Sequence, residues 1–220
     1  MSYLVGLAGS VAAGKSTLAA QLAQKEQALG KTVEVVSTDG FLYPNAELER
    51  RGLLARKGFP ESYDGAAFAD FLDALRAGKS AKVPIYSHQT YDINPDKQRE
   101  IPHSDLVIIE GINALQPFFT EDKLDHKIYL HAEESDLFAW YRERLLRLRA
   151  EAHTDPASYF TRFLELSDAA WEDRIQTIWE TVNLPNLREH ILPTRDLADE
   201  VLVKGPDHAM LSQPSTRFLL

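Results

Sequence analysis

The 220-residue sequence contains no cysteine, which excludes disulfide bonds, thiolate nucleophiles and cysteine-ligated metal sites. It has no run of about 18 apolar residues, so we expect no membrane-spanning helix and no membrane partner. Little sequence precedes the first predicted strand, which leaves no room for a signal peptide, and a cytoplasmic protein is expected. Internal repeats and low-complexity linkers are absent as well, which predicts a single domain over residues 1–220.

Basic residues are outnumbered, because 33 acidic side chains stand against 24 basic ones and give a formal net charge of −9. Bulk electrostatics therefore do not favour binding to nucleic acid. A local basic site for a small anionic ligand is compatible with this balance. Hydrophobic residues make up 44% of the chain, which is enough to build a substantial core.

The most informative motif is a glycine-rich loop at residues 9–17, Gly-Ser-Val-Ala-Ala-Gly-Lys-Ser-Thr. It lies between an apolar run and a helical pattern, and this context predicts a phosphate loop rather than a chance glycine turn. Backbone N–H groups and the helix N-terminus would cradle the phosphates of a nucleotide triphosphate. Lys15 is expected to reach the β- and γ-phosphates, and the Ser16 hydroxyl to bind Mg²⁺. The predicted nucleotide-binding residues of the loop are Gly9, Ser10, Ala12, Ala13, Gly14, Lys15, Ser16 and Thr17.

Apolar runs of strand length alternate with helical patterns along the chain. This alternation predicts an α/β fold of the P-loop NTPase type, with a mostly parallel sheet and helices on both faces. The predicted strands are Tyr3–Ala8, Thr32–Ser37, Asp105–Ile109, Lys127–His131 and Glu200–Val203. The predicted helices are Lys15–Leu29, Ala66–Ala77, Glu133 to about Ala150, and one or two more within Ala157–Val182.

Two carboxylates follow predicted strands. Asp39 comes after the second strand, and Glu110 directly after the most apolar one. Because the carboxyl ends of parallel strands meet at one edge of a sheet, both side chains should lie beside the phosphate loop. Asp39 suits a group that deprotonates an attacking hydroxyl and Glu110 a ligand for Mg²⁺, although the two roles could be exchanged. An aspartate before glycine is also common in turns, but its place on this edge favours function.

Other polar residues are ambiguous when taken alone. The helix predicted from Glu133 carries four arginines, at positions 142, 144, 147 and 149. One of them could neutralise charge on a transferring phosphate, but helical spacing does not say which, and a solvated face is the alternative. We interpret residues 85–92 as an aromatic and polar loop, in which His88 alone is more often a packed or solvent-facing histidine.

Several segments together closely resemble the bacterial type I pantothenate kinases, a family within the phosphoribulokinase and uridine kinase superfamily. The resemblance runs from about residue 3 to about residue 208. The phosphate loop is generic to the superfamily, and Glu-Gly-Ile-Asn-Ala-Leu-Gln at 110–116 is one of the further matching segments. Three segments are much more specific: Asp-Gly-Phe-Leu at 39–42, Lys-Gly-Phe-Pro-Glu-Ser-Tyr-Asp at 57–64 and Tyr-Ser-His at 86–88.

The resemblance implies ATP- and Mg²⁺-dependent phosphorylation of pantothenate at its primary hydroxyl, the first step toward coenzyme A, by a homodimer. Asp39 matches the family's catalytic base and Arg144 the arginine at the transferring phosphate, and with Lys15 they form the expected catalytic set. Glu110 matches the family's metal-side carboxylate and is expected to hold Mg²⁺ together with Ser16. The matched pantothenate contacts are Asp39, Tyr86, His88, Tyr141 and Asn183, and His208 matches a histidine near the adenine.

The match departs from the family pattern at a few places. Members usually carry a substantial segment before the first strand, which helps to cover the nucleotide. Ala20 stands where an arginine usually holds the phosphates of coenzyme A, and Leu145, Leu148 and His153 stand where large apolar residues usually wall the pocket.

Two alternative functions stay open. One is a kinase of the same superfamily that acts on another small alcohol, such as a nucleoside, sugar or glycerate. The other is a non-catalytic nucleotide-binding regulator. The presence of Asp39 argues against the regulator, because a protein that only binds a nucleotide needs no base.

Overall fold

A central parallel sheet organises the computed structural model, which describes residues 1–120 and 122–212. Its five strands lie in the order β2-β5-β1-β6-β7, and every neighbouring pair is parallel. The predicted mostly parallel sheet is thereby confirmed, and each predicted strand agrees with the structure to within one residue at either end. The strands of the chain are β1 (Tyr3–Gly9), β2 (Val33–Ser37), β3 (Ala81–Ser87), β4 (Asp92–Ile101), β5 (Leu106–Glu110), β6 (His126–His131) and β7 (Glu200–Val203).

Burial explains why the central strands are so apolar. All five residues of β5 are buried, as are the last six of β1. Each of these strands lies between two others, and the two faces of the sheet are covered by the elements packed on them. A strand that is covered on both faces reads as a continuous run of apolar residues rather than as an alternation. The same burial makes Glu110, at the end of β5, the exception that needs an explanation from the site.

The predicted helices agree with the structure in kind and place, whereas two short helices, at residues 45–50 and 117–120, were not predicted. The connection after β1 moves toward one edge of the sheet and the connection after β6 toward the other, so right-handed crossovers put their helices on opposite faces. No helix in residues 1–120 or 122–212 is long and apolar enough to cross a bilayer. The helices are α1 (Lys15–Ala28), α2 (Asn45–Arg50), α3 (Gly65–Arg76), α4 (Pro117–Thr120), α5 (Glu134–Glu151) and α6 (Asp168–Ile178), with 3₁₀ turns at Thr38–Phe41, Leu54–Arg56, Pro60–Ser62 and Tyr159–Phe163.

The helical pattern of residues 157–182 corresponds to several elements. The 3₁₀ turn Tyr159–Phe163 precedes α6, and α6 continues without a break into helical turns that reach Leu197. Ser167 is the N-cap of α6, because its hydroxyl accepts a hydrogen bond from the Ala170 N–H at 3.2 Å. Aromatic residues of this region pack into the core, as in the stack of Phe163 on Trp171 at 4.9 Å.

The interpretation of residues 85–92 as a loop is wrong at both of its ends. β3 and β4 form an antiparallel hairpin, and only residues 88–91 lie between the strands. Pro84 interrupts the strand pattern, and the ladder shifts register directly after it. Residues 96–100 of β4 are all exposed and polar, so no alternation of apolar residues revealed the strand.

Strand register places the chemistry-bearing residues at one edge. Glu110 lies opposite Leu7 of β1 and opposite Ser37 of β2. The phosphate loop after β1 and the 3₁₀ turn after β2 therefore flank Glu110. The 3₁₀ turn is held against the core, because the ring of Phe41 packs on that of Phe68 with ring centres 4.7 Å apart.

A close backbone approach behind this edge predicts a sensitive glycine. A Cβ atom on Gly111 would lie 1.7 Å from Oγ1 of Thr38, so Gly111→Ala must displace the turn that carries Asp39. We expect the free energy of unfolding to fall by about 2–3 kcal/mol, as for other forms of overpacking. Denaturant unfolding measures this loss. Gly52→Ala is the control, because nothing lies within 4 Å there and only its φ of +70° opposes alanine; an equal loss in both variants would contradict the close approach.

Candidate active site

A cavity of about 550 Å³ opens at the carboxyl edge of the sheet and contains most of the predicted site residues. Of the predicted phosphate-loop residues, Ala12, Lys15 and Ser16 line it, whereas Ser10 lines a smaller neighbouring cavity of about 190 Å³. Gly9, Ala13, Gly14 and Thr17 line neither cavity. The other predicted residues on its wall are Asp39, Tyr86, His88, Glu110, Tyr141, Arg144 and Asn183.

The phosphate loop has the backbone geometry of an anion cradle. Gly14 has a φ of +92° and immediately precedes α1, whose first N–H groups have no acceptor within the helix. Ala12 also adopts a positive φ, +64°, which is strained for a residue with a side chain and is typical of functional loops. The Lys15 ammonium donates to the carbonyl of Ser10 at 2.9 Å, so the lysine lies across the loop.

A buried lysine, a hydroxyl and a buried carboxylate form the polar centre of the cavity. The Ser16 hydroxyl donates to Oε1 of Glu110 at 3.0 Å. Burial lowers the pKa of Lys15, and the nearby carboxylates of Glu110 and Asp39 only oppose this shift. Burial likewise raises the pKa of Glu110, against the effect of Lys15. Burial therefore disfavours the charged form of both groups, and each of the two opposes this effect on the other.

The hydroxyl and the carboxylate fit a magnesium ion. Both are hard oxygen ligands, which Mg²⁺ prefers, and Mg²⁺ commonly uses one or two protein ligands together with substrate phosphates. In the described ranges, no group of three or more His, Cys, Asp or Glu side chains could hold a metal by itself. Ser16 and Glu110 thus fit an ion that arrives with a nucleotide.

Asp39 is held in place by the turn that carries it. Its N–H donates to the Ser37 hydroxyl at 3.3 Å, and the Tyr63 hydroxyl lies 3.5 Å from its Oδ1. Burial raises the pKa of Tyr63 well above its ordinary value, so this phenol stays protonated and can donate to the carboxylate. Asp39 is partly exposed and lines the cavity, which leaves its carboxylate accessible to a ligand.

The structure distinguishes the four arginines of α5. Arg142 pairs with Glu172, Arg147 with Glu151, and Arg149 with Asp168. Arg144 alone among them lines the cavity, and within residues 1–120 and 122–212 it has no hydrogen bond or ion pair. Its guanidinium is therefore available to an anionic ligand.

The cavity wall also carries uncharged phenol and amide groups together with a histidine. The ring of His88 lies edge-on to that of Tyr86 at 5.2 Å. Burial raises the pKa of Tyr141 to about 12, while the neighbouring side-chain amide of Asn183 opposes this shift. The amide nitrogen of Asn183 is buried and, apart from this interaction with Tyr141, has no acceptor among the described residues. A buried donor without a partner is costly, so this nitrogen is suited to a ligand oxygen.

His208 lies outside the cavity, beside the phosphate loop. Its exposed ring stacks on Trp140 at 4.4 Å, and the Lys204 ammonium lies 4.9 Å from the centre of the same indole. Lys204 also donates to the carbonyl of Ala13 at 2.9 Å. The three side chains thus connect the C-terminal part of the chain to the loop.

Sequence reasoning gave no role to several residues that line the cavity. Lys57 and Tyr63 belong to the 57–64 segment, which carried the resemblance, but no separate signal indicated their function. The Lys57 ammonium donates to Oδ1 of Asn45 at 2.6 Å and to the carbonyl of Tyr91. Burial lowers the pKa of Lys57. Three residues that the family pattern places at the wall, Leu145, Leu148 and His153, do not line the cavity, and Ala20 is exposed on α1.

This combination of a phosphate loop, a Ser–Glu pair and an aspartate turn at the edge of a parallel sheet defines a P-loop kinase fold. The chain belongs to the phosphoribulokinase/uridine kinase family, whose model matches residues 4–151.

Relatives of known name extend this assignment. The chain is 48% identical to the pantothenate kinase of Bacillus velezensis over 94% of this chain and 69% of the relative. It is 49% identical to that of Sorangium cellulosum over 94% of this chain and 70% of the relative. Among solved structures, a proposed fructose transport system kinase from a Silicibacter species has a TM-score of 0.70 at 28% identity, covering 91% of this chain and 89% of that one.

The raised pKa of Glu110 predicts that Glu110→Gln stabilises the unliganded protein. A carboxyl with a raised folded-state pKa costs no stability below its unfolded pKa, and the cost is complete above its folded pKa. At pH 7 the variant should therefore melt at a higher temperature than wild type, where 1 kcal/mol corresponds to about 2–4 °C. The difference should shrink below pH 4. Calorimetry measures it.

The matched control is Glu151→Gln, whose side chain is 61% exposed. It should leave the melting temperature unchanged at both pH values. A lower melting temperature of Glu110→Gln at pH 7 would show instead that the ionised carboxylate stabilises the free protein.

Proposed function

We propose that this protein is a pantothenate kinase, which transfers the γ-phosphoryl group of ATP to the primary hydroxyl of pantothenate in the first step of coenzyme A biosynthesis. The observation that carries the proposal is the convergence on one cavity of a phosphate loop, two carboxylates, an arginine with no partner among the described residues, and further hydrogen-bonding side chains. The pantothenate kinases found at 44–49% identity support the choice of acceptor.

The nucleotide side of the proposal uses the phosphate loop. Its N–H groups and Lys15 would bind the β- and γ-phosphates, and the stack of His208 on Trp140 would lie toward the adenine. Ser16 and Glu110 would hold Mg²⁺, which when bound neutralises charge on the phosphate oxygens. Lys15 leaves the Ser10 carbonyl in this state and turns to the phosphates.

Asp39 and Arg144 act on the transfer itself. Asp39 accepts the proton of the acceptor hydroxyl as its oxygen forms a bond to the γ-phosphorus, and the bond to the bridging oxygen of ADP breaks. Arg144, which has no other partner in the described part of the chain, stabilises the charge on the transferring group. The products are ADP and 4′-phosphopantothenate, with the proton left on Asp39.

The acceptor would bind against the hydrogen-bonding side chains of the cavity wall. Pantothenate offers an amide, two hydroxyls and a carboxylate, which suit Tyr86, His88, Tyr141 and Asn183 as hydrogen-bonding partners. The buried Asn183 nitrogen, which otherwise interacts with Tyr141, would donate to an oxygen of the ligand.

The wider organisation is part of the same proposal. Residues 1–220 would form one P-loop kinase domain that acts as a cytoplasmic homodimer, without nucleic acid or membrane partners. The acidic balance of the chain supports the exclusion of nucleic acid.

The purified protein should convert Mg-ATP and pantothenate to 4′-phosphopantothenate, detected by mass spectrometry. Asp39→Asn keeps the shape of the side chain but removes the base, and should lower kcat by about 10²- to 10⁴-fold. Nucleotide binding by this variant should be unchanged, which serves as the control for folding.

A panel of other alcohols separates the alternatives. Phosphorylation of uridine, a sugar or glycerate but not of pantothenate would replace the proposed acceptor. Saturating ATP binding without transfer to any of these alcohols would favour the regulator.

Arg144→Ala should lower kcat by about 10²- to 10³-fold, the usual effect of removing one group that stabilises the transition state. Arg147→Ala is the matched control, because Arg147 lies on the same helix, is 67% exposed and, within the described residues, pairs only with Glu151. Steady-state kinetics with both substrates measure the effect. Equal kcat values for the two variants would remove Arg144 from the transfer step.

A further inference from the structure

Two segments that are distant in sequence meet at the cavity: the hairpin turn (residues 88–91) and the aromatic segment (residues 154–163). The Gln89 side-chain amide donates to both carboxylate oxygens of Asp155, at 3.2 and 3.0 Å. In return, the N–H of Tyr159 donates to the carbonyl of Gln89 at 2.7 Å. One glutamine thus connects the two segments through its side chain and its backbone.

The same meeting point forms one wall of the cavity. Tyr91, from the hairpin turn, stacks on Tyr159 at 4.9 Å with an angle of 25° between the rings. Both rings line the cavity, and Phe160 supports Tyr91 edge-on at 5.4 Å. Gln89 and Asp155 do not line the cavity, so their effect on a ligand must pass through the two tyrosines.

The backbone of Tyr91 needs support. Its φ of +55° lies in the left-handed region, which a bulky residue rarely adopts unless its surroundings fix it. Lys57 and Asn45 hold its carbonyl on one side, with the Asn45 amide at 3.2 Å. The contacts of Gln89 hold the turn on the other side.

Asp155 is prepared for this contact. The Asp155 carboxylate also accepts a hydrogen bond from the N–H of Ala157 at 3.1 Å, and the backbone carbonyl of Asp155 accepts one from the N–H of Ser158 at 3.0 Å. Contacts within its own segment therefore orient the carboxylate that Gln89 contacts.

We propose that Gln89 and Asp155 are positioning residues, whose hydrogen bond holds Tyr91 against Tyr159. This pair forms the wall next to Tyr86, one of the residues proposed to bind the acceptor, whose ring lies 6.5 Å from that of Tyr91. The identity of the acceptor rests on the proposed function, whereas the connection between the two segments does not. Loss of the bond lets the tyrosine pair separate, which weakens binding of the acceptor and leaves the phosphate loop unaffected.

The first test needs no activity. Gln89→Leu keeps the size of the side chain but removes its donor, and hydrogen exchange of the free protein reports the Tyr159 amide. We expect exchange in the aromatic segment to become about three- to tenfold faster, in line with the loss of one solvent-exposed hydrogen bond of ordinary strength. Gln98→Leu, at an exposed position of β4, is the matched control and should change nothing there.

The second test is kinetic. Gln89→Leu should raise the KM for pantothenate by about three- to tenfold and leave kcat and the KM for ATP unchanged. Gln89→Glu places two carboxylates against each other and should raise this KM further. Adding Asp155→Asn to Gln89→Glu reverses donor and acceptor, and should restore the wild-type KM.

Each result decides the proposal. Unchanged exchange in Gln89→Leu would overturn the connection, and faster exchange with an unchanged KM would overturn the positioning role. Failure of the exchanged pair to restore the KM would show that the two residues act separately. If wild type does not phosphorylate pantothenate, the proposed function fails, while the exchange experiment still decides whether the bond holds the segments together.

Discussion

The register of three parallel strands is the constraint on which the site depends. Glu110 lies between Leu7 and Ser37 because β5 pairs with β1 on one side and β2 on the other. This pairing brings the phosphate loop and the aspartate turn to the same carboxylate. A shift of one residue would turn Glu110 to the opposite face of the sheet, since successive side chains alternate. Backbone pairing deep in the core therefore sets distances between groups at the surface of the cavity.

That position has an energetic cost. Lys15 and Glu110 are both at least nine-tenths buried. Burial lowers the pKa of Lys15 and raises that of Glu110, so that it favours the neutral form of each. An apolar pair in the same place would be expected to stabilise the free fold at least as well. A buried lysine and a buried carboxylate are favourable when a ligand brings an opposite charge to each of them. Such a dependence on the ligand is the usual reason that binding sites are less stable than the rest of a protein.

Much of this arrangement could be predicted from the sequence, for identifiable reasons. The apolar run of β5 indicated a central strand, and strand ends gave the shared edge of Asp39 and Glu110. The choice of Arg144 required either family resemblance or the structure, because helical spacing treats all four arginines alike. The hairpin was not predicted, because Pro84 and the polar residues of β4 interrupt the alternation of apolar residues that indicates a strand. The connection through Gln89 was missed for the same reason, since it depends on the hairpin. Such contacts depend on how distant segments meet, which local patterns do not encode.

The hairpin raises a different problem, that of association between molecules. In the described ranges β4 pairs only with β3, so a strand of ten residues presents an edge with unpaired backbone groups. Exposed strand edges can recruit strands from other molecules, and charged side chains are a common protection. Asp96, Lys97, Arg99 and Glu100 occupy this stretch and are all exposed. The polar side chains that made the strand hard to predict are thus also of the kind that protects an exposed strand edge against pairing with other molecules.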